Sequence, residues 1–218
     1  MKKLSVFCVA LLGLFQVACA PPPAEPIRIG FIGGLTSANS DNGQAGLNAL
    51  NMVVEQFNRA GGLQGRLVEL VTRDDAQNAE TAARSAQDLV DAKVDVVIGP
   101  FTSSMAGVVV PITGKAGIFQ VSPTITAMDF HGRNDNLFRI NRTTRDNARD
   151  YARVMVGRGQ KRFAIAYDLR NRTFTESWLE EFRTATRALN AEVVSAVPYE
   201  SSEATDFDGG VRQMLARP

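Results

Sequence analysis

Few residues in this 218-residue sequence have the types and spacing that catalysis or metal binding requires. The single histidine, His131, would have to serve any Ser-His-Asp triad, and no G-x-S-x-G nucleophile motif accompanies it. The acidic pair Asp74-Asp75 has no neighbouring histidine or cysteine, which favours a solvated turn or a helix cap over a metal site. The sequence therefore predicts no enzymatic activity, no metal site and no cofactor.

The first twenty residues have the layout of a secretory signal peptide: two lysines, an apolar run over residues 4–17, then small residues. The run is too short for a stable membrane-spanning helix, which needs about 20 residues. Two cleavage sites compete. Cleavage after Ala20 fits ordinary signal peptidase, but three prolines follow directly, whereas Val-Ala-Cys at 17–19 resembles the lipobox of bacterial lipoproteins, with Gln16 as a departure from its usual apolar residue.

The lipobox is the favoured interpretation. It makes residues 1–18 a signal peptide and Cys19 the lipidated first residue of the mature protein, with the proline-rich residues 19–26 as a semi-rigid tether. Cys8 would be discarded, so neither a disulfide within the chain nor thiol chemistry is predicted. We expect a protein of the periplasm or cell envelope that is anchored to the membrane by lipid, with a secreted soluble form as the alternative.

The composition is that of an ordinary globular protein, with 44% hydrophobic and 22% charged residues and a formal net charge of +1. There is no cluster of basic residues that could follow a phosphate backbone. Nucleic acid is therefore not a predicted partner.

From residue 27 onward, short apolar runs alternate with segments of helical period, which predicts an α/β fold with parallel sheets. Strands are predicted at 27–32, 67–72, 94–98, 118–121, 163–167 and 192–197, with a further candidate at 137–140. Helices are predicted at 46–58, 79–92, 104–115, 145–157 and 175–189. Their apolar stripes, such as Leu47, Leu50, Val54 and Phe57, are expected to form the core.

These elements predict two lobes: a first over residues 27–141, and a hinge with a partial second lobe over residues 142–218. The second lobe has only two predicted strands and two helices, too few to close a doubly wound layer. Either the chain is a truncated product or the half-lobe needs a partner. We expect the inner faces of Trp178, Leu179, Phe182 and Leu189 to have too few packing partners, which would cause association or partial unfolding.

Several segments of the chain together resemble a known family. The first runs from residue 27 to residue 77 and contains a strand ending at Gly33, a Thr-containing loop, a long helix, N-x-x-G-G-x-x-G-R, a strand and D-D. VDVVIGPFTSS, IFQVSPTIT, LFRINRT and RFAIAYD follow in order. This series resembles the type I periplasmic binding proteins of branched-chain amino acid and amide uptake. The resemblance implies two doubly wound parallel-sheet lobes, the second incomplete here, that capture a small ligand between them for an ABC permease without a chemical step.

The resemblance also implies ligand-binding residues. The loop in VVIGPFTSS leaves a strand and opens a helix, whose free amide groups would hold a ligand carboxylate. Ser103 matches the family's carboxylate-binding serine, and Ser104 follows it. Thr124 and Thr126 match positions that meet an amino-acid head group.

Departures from the family pattern concern the identity of the ligand. Thr144 stands where amino-acid binders carry a carboxylate for the ammonium group, Arg172-Thr173 replaces a Tyr-Gly pair, and Asn42 stands where an aromatic residue could line the cleft. A buried ammonium group without an anion is costly. The ligand is thus an amino acid, an amide or a small carboxylate, and Arg172 would suit a second anionic group. The alternative function is a non-transport envelope lipoprotein that uses the same fold as a sensor or a protein-interaction module.

Overall fold

The structure is a computed structural model that describes residues 25–37, 40–202 and 204–216. The predicted signal peptide, Cys19 and all but the last two residues of the predicted tether lie outside the described residues. None of the helices in the described part of the chain combines the length and the apolar composition that crossing a bilayer requires.

A five-stranded parallel sheet forms the first lobe, with the strand order β2-β1-β3-β4-β5. Its strands are β1 (Ile27–Gly33), β2 (Val68–Asp74), β3 (Val96–Ile98), β4 (Phe119–Ser122) and β5 (Leu137–Arg139). Three helices connect them: α1 (Asp41–Arg59), α2 (Ala79–Asp91) and α3 (Ser103–Lys115). The chain runs outward from β1 to β2 and then returns to the other side of β1, so the sheet has a topological switch point between β1 and β3.

The second lobe contains a two-stranded parallel sheet of β6 (Arg162–Asp168) and β7 (Glu192–Tyr199). The helices of this lobe are α4 (Thr144–Gly157), α5 (Arg172–Arg187) and α6 (Phe207–Leu215). The predicted α/β class with parallel sheets is therefore confirmed. Helix α6 was not predicted, because Gly209-Gly210 interrupts its short apolar pattern.

The first lobe has the larger apolar core. Leu89 of α2, Val97 of β3 and Val109 of α3 are fully buried in one cluster, and Ile32 of β1 joins them. Helix α1 contributes little to this core. Its stripe was expected to be buried, but Leu47, Leu50 and Val54 are only half-buried and Phe57 is 40% exposed.

The second lobe is better packed than the sequence suggested. Leu179 and Phe182 are each 4% exposed. The Trp178 ring stacks on that of Phe182 with centroids 4.8 Å apart, and Trp178 and Leu189 both pack against the cluster of Ala148, Ala152 and Phe182. The expectation that these side chains have too few partners was wrong, because α4 lies against α5 and covers them; association or partial unfolding of the chain stays a prediction.

Candidate ligand-binding site

The candidate site lies at the carboxyl ends of the strands of the first sheet, next to its switch point. Ligands of open α/β sheets bind in this crevice, because the loops after the two strands diverge there. In this chain the described parts of the two loops are residues 34–37, which follow β1, and residues 99–102, which follow β3 and lead into α3.

Side chains from β4 and its extension hold the loop of residues 99–102. The bonds run from Gln120 Nε2 to Gly99 O at 2.8 Å, from Ser122 Oγ to Pro100 O at 2.7 Å and from Thr124 Oγ1 to Phe101 O at 2.6 Å. Three consecutive carbonyl groups are thus bound by three residues at alternate positions. Because these carbonyl groups are fixed, the amide groups at the start of α3 have a defined direction.

Ser103 and Ser104 form the first two positions of α3. Ser103 is 2% exposed. Thr102 precedes them with an extended backbone and does not cap the helix with its side chain. Amide groups in the first turn of a helix have no partner within that helix, so they can bind an acceptor from elsewhere.

Thr126 presents a buried hydroxyl group at this site. Its residue is 7% exposed and its Oγ1 atom has no hydrogen-bond partner among the residues that the structure describes, while its carbonyl oxygen accepts a 2.8 Å bond from the amide of Thr144. A buried hydroxyl group without a partner costs about 1–3 kcal/mol. Ser37 Oγ, in the loop after β1, is a second buried hydroxyl of this kind. Ser37 lies in a crevice loop and Thr126 follows β4, and unpartnered buried hydroxyl groups of this kind are expected where a polar ligand completes the structure.

The structure gives Thr124 and Thr144 other partners. The Thr124 hydroxyl is bound to the 99–102 loop, as described above. Thr144 is fully buried at the start of α4, and its Oγ1 lies 2.8 Å from Ser177 Oγ of α5. Ser177 Oγ also accepts a 3.0 Å bond from the amide of Met128 in the first lobe. Ser177 thus contacts both lobes, which the sequence analysis did not predict.

Arg172 lies at the first position of α5. Its guanidinium group is 3.0 Å from Glu176 one turn along the same helix, and its side chain is 64% exposed. A role in binding a second anion stays a prediction, and in this conformation it would require Arg172 to leave Glu176.

Asp74 organises the loop after β1. Its Oδ1 atom accepts the amide groups of Leu35 and Ala76, each at 2.8 Å, and its Oδ2 atom accepts the hydroxyl of Thr36. Partial burial raises the pKa of Asp74, but the hydrogen bonds together lower it by more. The pKa of Asp74 therefore lies below its ordinary value. Asp74 is therefore a charged acceptor that fixes a turn, and it does not cap a helix, because Asn78 is the N-cap of α2.

Asp75 is buried and differs from the predicted solvated residue. It is 1% exposed, and its Oδ1 atom accepts the amide of Gln77 at 2.8 Å. Burial raises the pKa of Asp75 from 3.8 to about 6; the bond from Gln77 opposes this shift and the charge of Asp74 adds to it. Within the described residues, no group of three or more His, Cys, Asp or Glu side chains could hold a metal ion.

The raised pKa of Asp75 predicts a pH-dependent stability. Between pH 4 and pH 6 the folded chain keeps a proton that the unfolded chain has lost, so the free energy of unfolding falls as pH rises. We expect Asp75→Asn to remove this decline. The free energy of unfolding of the variant minus that of the wild type is then up to about 3 kcal/mol larger at pH 7 than at pH 4. Urea unfolding at pH 4, 5, 6 and 7 measures it, with the exposed Asp91→Asn as control. Parallel pH profiles for wild type and Asp75→Asn would contradict the assignment.

Comparisons with known proteins agree with this architecture. A family model described as "Periplasmic binding protein" matches residues 26–217. The Leu/Ile/Val-binding protein homolog 3 of Brucella melitensis is 27% identical over 208 residues, which are 94% of this chain and 53% of that protein.

Solved structures show the same fold. An ABC transporter substrate-binding protein from Desulfitobacterium hafniense, in complex with Leu, is 26% identical with a TM-score of 0.68, over 88% of this chain and 56% of that one. A solute-binding protein of an ABC transporter from R. palustris, in complex with benzoate, is 22% identical with a TM-score of 0.77, over 88% and 52%. The chain therefore spans about half the length of the proteins it matches.

Proposed function

This chain belongs to the family of type I periplasmic binding proteins that includes the Leu/Ile/Val-binding proteins, and we propose that it captures a small carboxylate-bearing ligand between its two lobes for an ABC permease. The ligand is an amino acid, an amide or a small carboxylate. The protein acts outside the cytoplasm and carries out no chemical step of its own.

The observation that carries this proposal is the buried Thr126 hydroxyl, which has no partner among the described residues and lies two residues after Thr124, whose own hydroxyl binds the loop that leads into α3. Ser103 and Ser104 supply helix-terminal amide groups, whose partial positive charge favours an anion. Thr126 Oγ1 supplies a buried donor that has no other partner in the described part of the chain. A carboxylate that accepts from these groups would satisfy the buried hydroxyl and gain charge-assisted hydrogen bonds.

The charges around the site bear on the class of ligand. An amino acid needs an anion for its ammonium group. The nearest acidic residue to Thr144 in sequence is Asp146, which accepts hydrogen bonds from Thr143 Oγ1 at 2.8 Å and Arg149 at 2.9 Å. A carboxylate without an ammonium group avoids this requirement. Leucine and benzoate, the ligands bound by two structural relatives, represent the two classes.

Substitutions in the site test the proposal. Hydrogen bonds to a charged group contribute about 1.5–3 kcal/mol each, so Ser103→Ala or Thr126→Val is expected to weaken binding about tenfold or more. Isothermal titration with leucine and with benzoate gives the Kd of each variant. Thr184→Val, an exposed position on α5, is the matched control and leaves the Kd unchanged. Unaltered affinity in both site variants would refute the assignment of these residues.

The N-terminal processing and the domain boundaries complete the proposal. Residues 1–18 act as a signal peptide, Cys19 carries the lipid and residues 19–26 form the tether. The first lobe spans residues 27–141, and the hinge and second lobe follow from residue 142. The lipid anchor would keep the protein beside its permease in the membrane.

A further inference from the structure

The second lobe already contacts the start of α3. Asn171 Oδ1 accepts a 3.1 Å hydrogen bond from the amide of Ser104, and Ser104 Oγ accepts a 3.2 Å bond from the amide of Thr173. The hydroxyl groups of Ser104 and Thr173 are 3.4 Å apart. The Ser104 amide, which a ligand carboxylate would use, is therefore already hydrogen-bonded to a neutral acceptor of the same chain.

We propose that the side-chain oxygen of Asn171 is a built-in competitor for the anion position at the start of α3, and that it latches the two lobes together without ligand. This inference deepens the proposed function and rests on it for the identity of the displaced ligand group. The contact itself is independent of any ligand.

The position of Asn171 in its own helix supports this role. Asn171 precedes α5 at the N-cap position, where an asparagine commonly accepts an amide from the first turn of the helix that follows. It makes no such bond here. Its oxygen is directed instead to α3, a helix of the other lobe, 67 residues away in sequence. An N-cap asparagine that does not cap its own helix is available for a second role.

The segment before Asn171 is fixed by Asp168. The Oδ1 atom of Asp168 accepts the amide of Arg170 at 3.0 Å, and its carbonyl oxygen accepts the hydroxyl of Thr175 at 2.8 Å. Ser201, which follows β7, donates its hydroxyl to the same carboxylate. Because the 3₁₀ turn Leu169–Asn171 is tied to β6 and β7, Asn171 moves only together with the second lobe.

A second contact between the lobes lies one and a half turns along α5. Ser177 Oγ accepts the amide of Met128 at 3.0 Å and lies 2.8 Å from Thr144 Oγ1. The latch therefore has two points, Asn171 with Thr173 on Ser104 and Ser177 on Met128. Two points on one helix resist rotation of the lobes better than a single contact.

The choice of asparagine makes the latch reversible. A carboxylate ligand forms a stronger hydrogen bond with the Ser104 amide than a neutral amide oxygen does, so it can displace Asn171. Only molecules in which the Ser104 amide is free of Asn171 can bind the carboxylate, so the fraction of such molecules limits the apparent affinity for the ligand. An aspartate at position 171 would carry the charge of the ligand itself and compete far more effectively.

Amide exchange and acetate titration, both followed by NMR, test the proposal on the purified protein. We expect Asn171→Ala to speed the exchange of the Ser104 amide about tenfold and to lower the Kd for acetate about threefold to tenfold. Asn171→Asp is expected to slow that exchange and to raise the Kd. Asn51→Ala, an exposed asparagine on α1, is the matched control and changes neither.

The outcomes separate the latch from the proposed function. If Ser104 exchange is the same in wild type and both Asn171 variants while acetate still shifts the Ser104 signal, the latch is refuted and the proposed anion site stands. If exchange responds as expected but acetate shifts Ser104 in none of the proteins, competition and the proposed anion site both fail. Weaker acetate binding in Asn171→Ala would make Asn171 a ligand contact, which overturns its role as a competitor.

Discussion

Replacing Gly99 with alanine is expected to lower the free energy of unfolding by about 3–5 kcal/mol. Gly99 has a φ of +114°, and a Cβ atom there would lie 1.9 Å from the carbonyl oxygen of Ile32. The backbone cannot move aside easily, because the Gly99 amide donates to Val121 O at 2.9 Å and its carbonyl oxygen accepts from Gln120 Nε2.

Gly107→Ala is the matched control for this prediction. Gly107 lies inside α3, and a Cβ atom there would meet no heavy atom within 4 Å. Alanine in a helix interior is favoured over glycine by about 0.5–1 kcal/mol, so this variant is expected to be neutral or more stable. Thermal and urea unfolding of both variants measure the difference. Equal stability of the two variants would refute the prediction, because it would show that the loop accommodates a Cβ atom at position 99.

The sequence predicted the strands of the sheets more closely than the ends of the helices. Each described strand overlaps a predicted apolar run, because buried parallel strands are apolar on both faces. Helix α1 begins at Asp41, five residues before its predicted start. Its first turn is polar and has no apolar periodicity, so nothing in the pattern marked it as helical.

The burial of individual residues depended on tertiary contacts that periodicity does not contain. Helix α1 has an apolar stripe, yet Phe57 remains 40% exposed, because the contacts of this helix are mainly with β1 and β2. Asp75 is buried although its neighbour Asp74 caps a loop. Adjacent acidic residues in one turn point in different directions, which their sequence alone does not reveal.

Only some residues of the candidate site and of the contacts between the lobes could be predicted from the sequence. Ser103 and Thr126 were found through a family resemblance, and a simpler signal was also present. Polar residues alternate through FQVSPTIT at positions 120, 122, 124 and 126, which is unusual within a buried strand and its extension. By contrast, Asn171 and Ser177 contact the first lobe only because the two lobes meet in a particular orientation.

Membrane attachment is expected to depend on Cys19. We expect Cys19→Ala to move the protein from the membrane fraction to the soluble fraction. Each buried acyl methylene contributes about 0.8 kcal/mol, and stable anchoring needs two acyl chains or a chain with a second signal. Loss of the only predicted lipid attachment site thus removes essentially all of the membrane affinity. Fractionation of cells that express the wild-type and variant proteins measures it.

Cys8→Ala is the matched control, because it makes the same substitution within the predicted signal peptide. It should leave the protein in the membrane fraction and still labelled by a clickable fatty acid, whereas Cys19→Ala should lose both the label and the membrane location. The competing cleavage after Ala20 predicts a different result: the wild-type protein and both variants would be soluble and unlabelled. Because that cut would place three prolines at the new N-terminus and remove both cysteines, N-terminal sequencing of the mature protein distinguishes the two pathways directly.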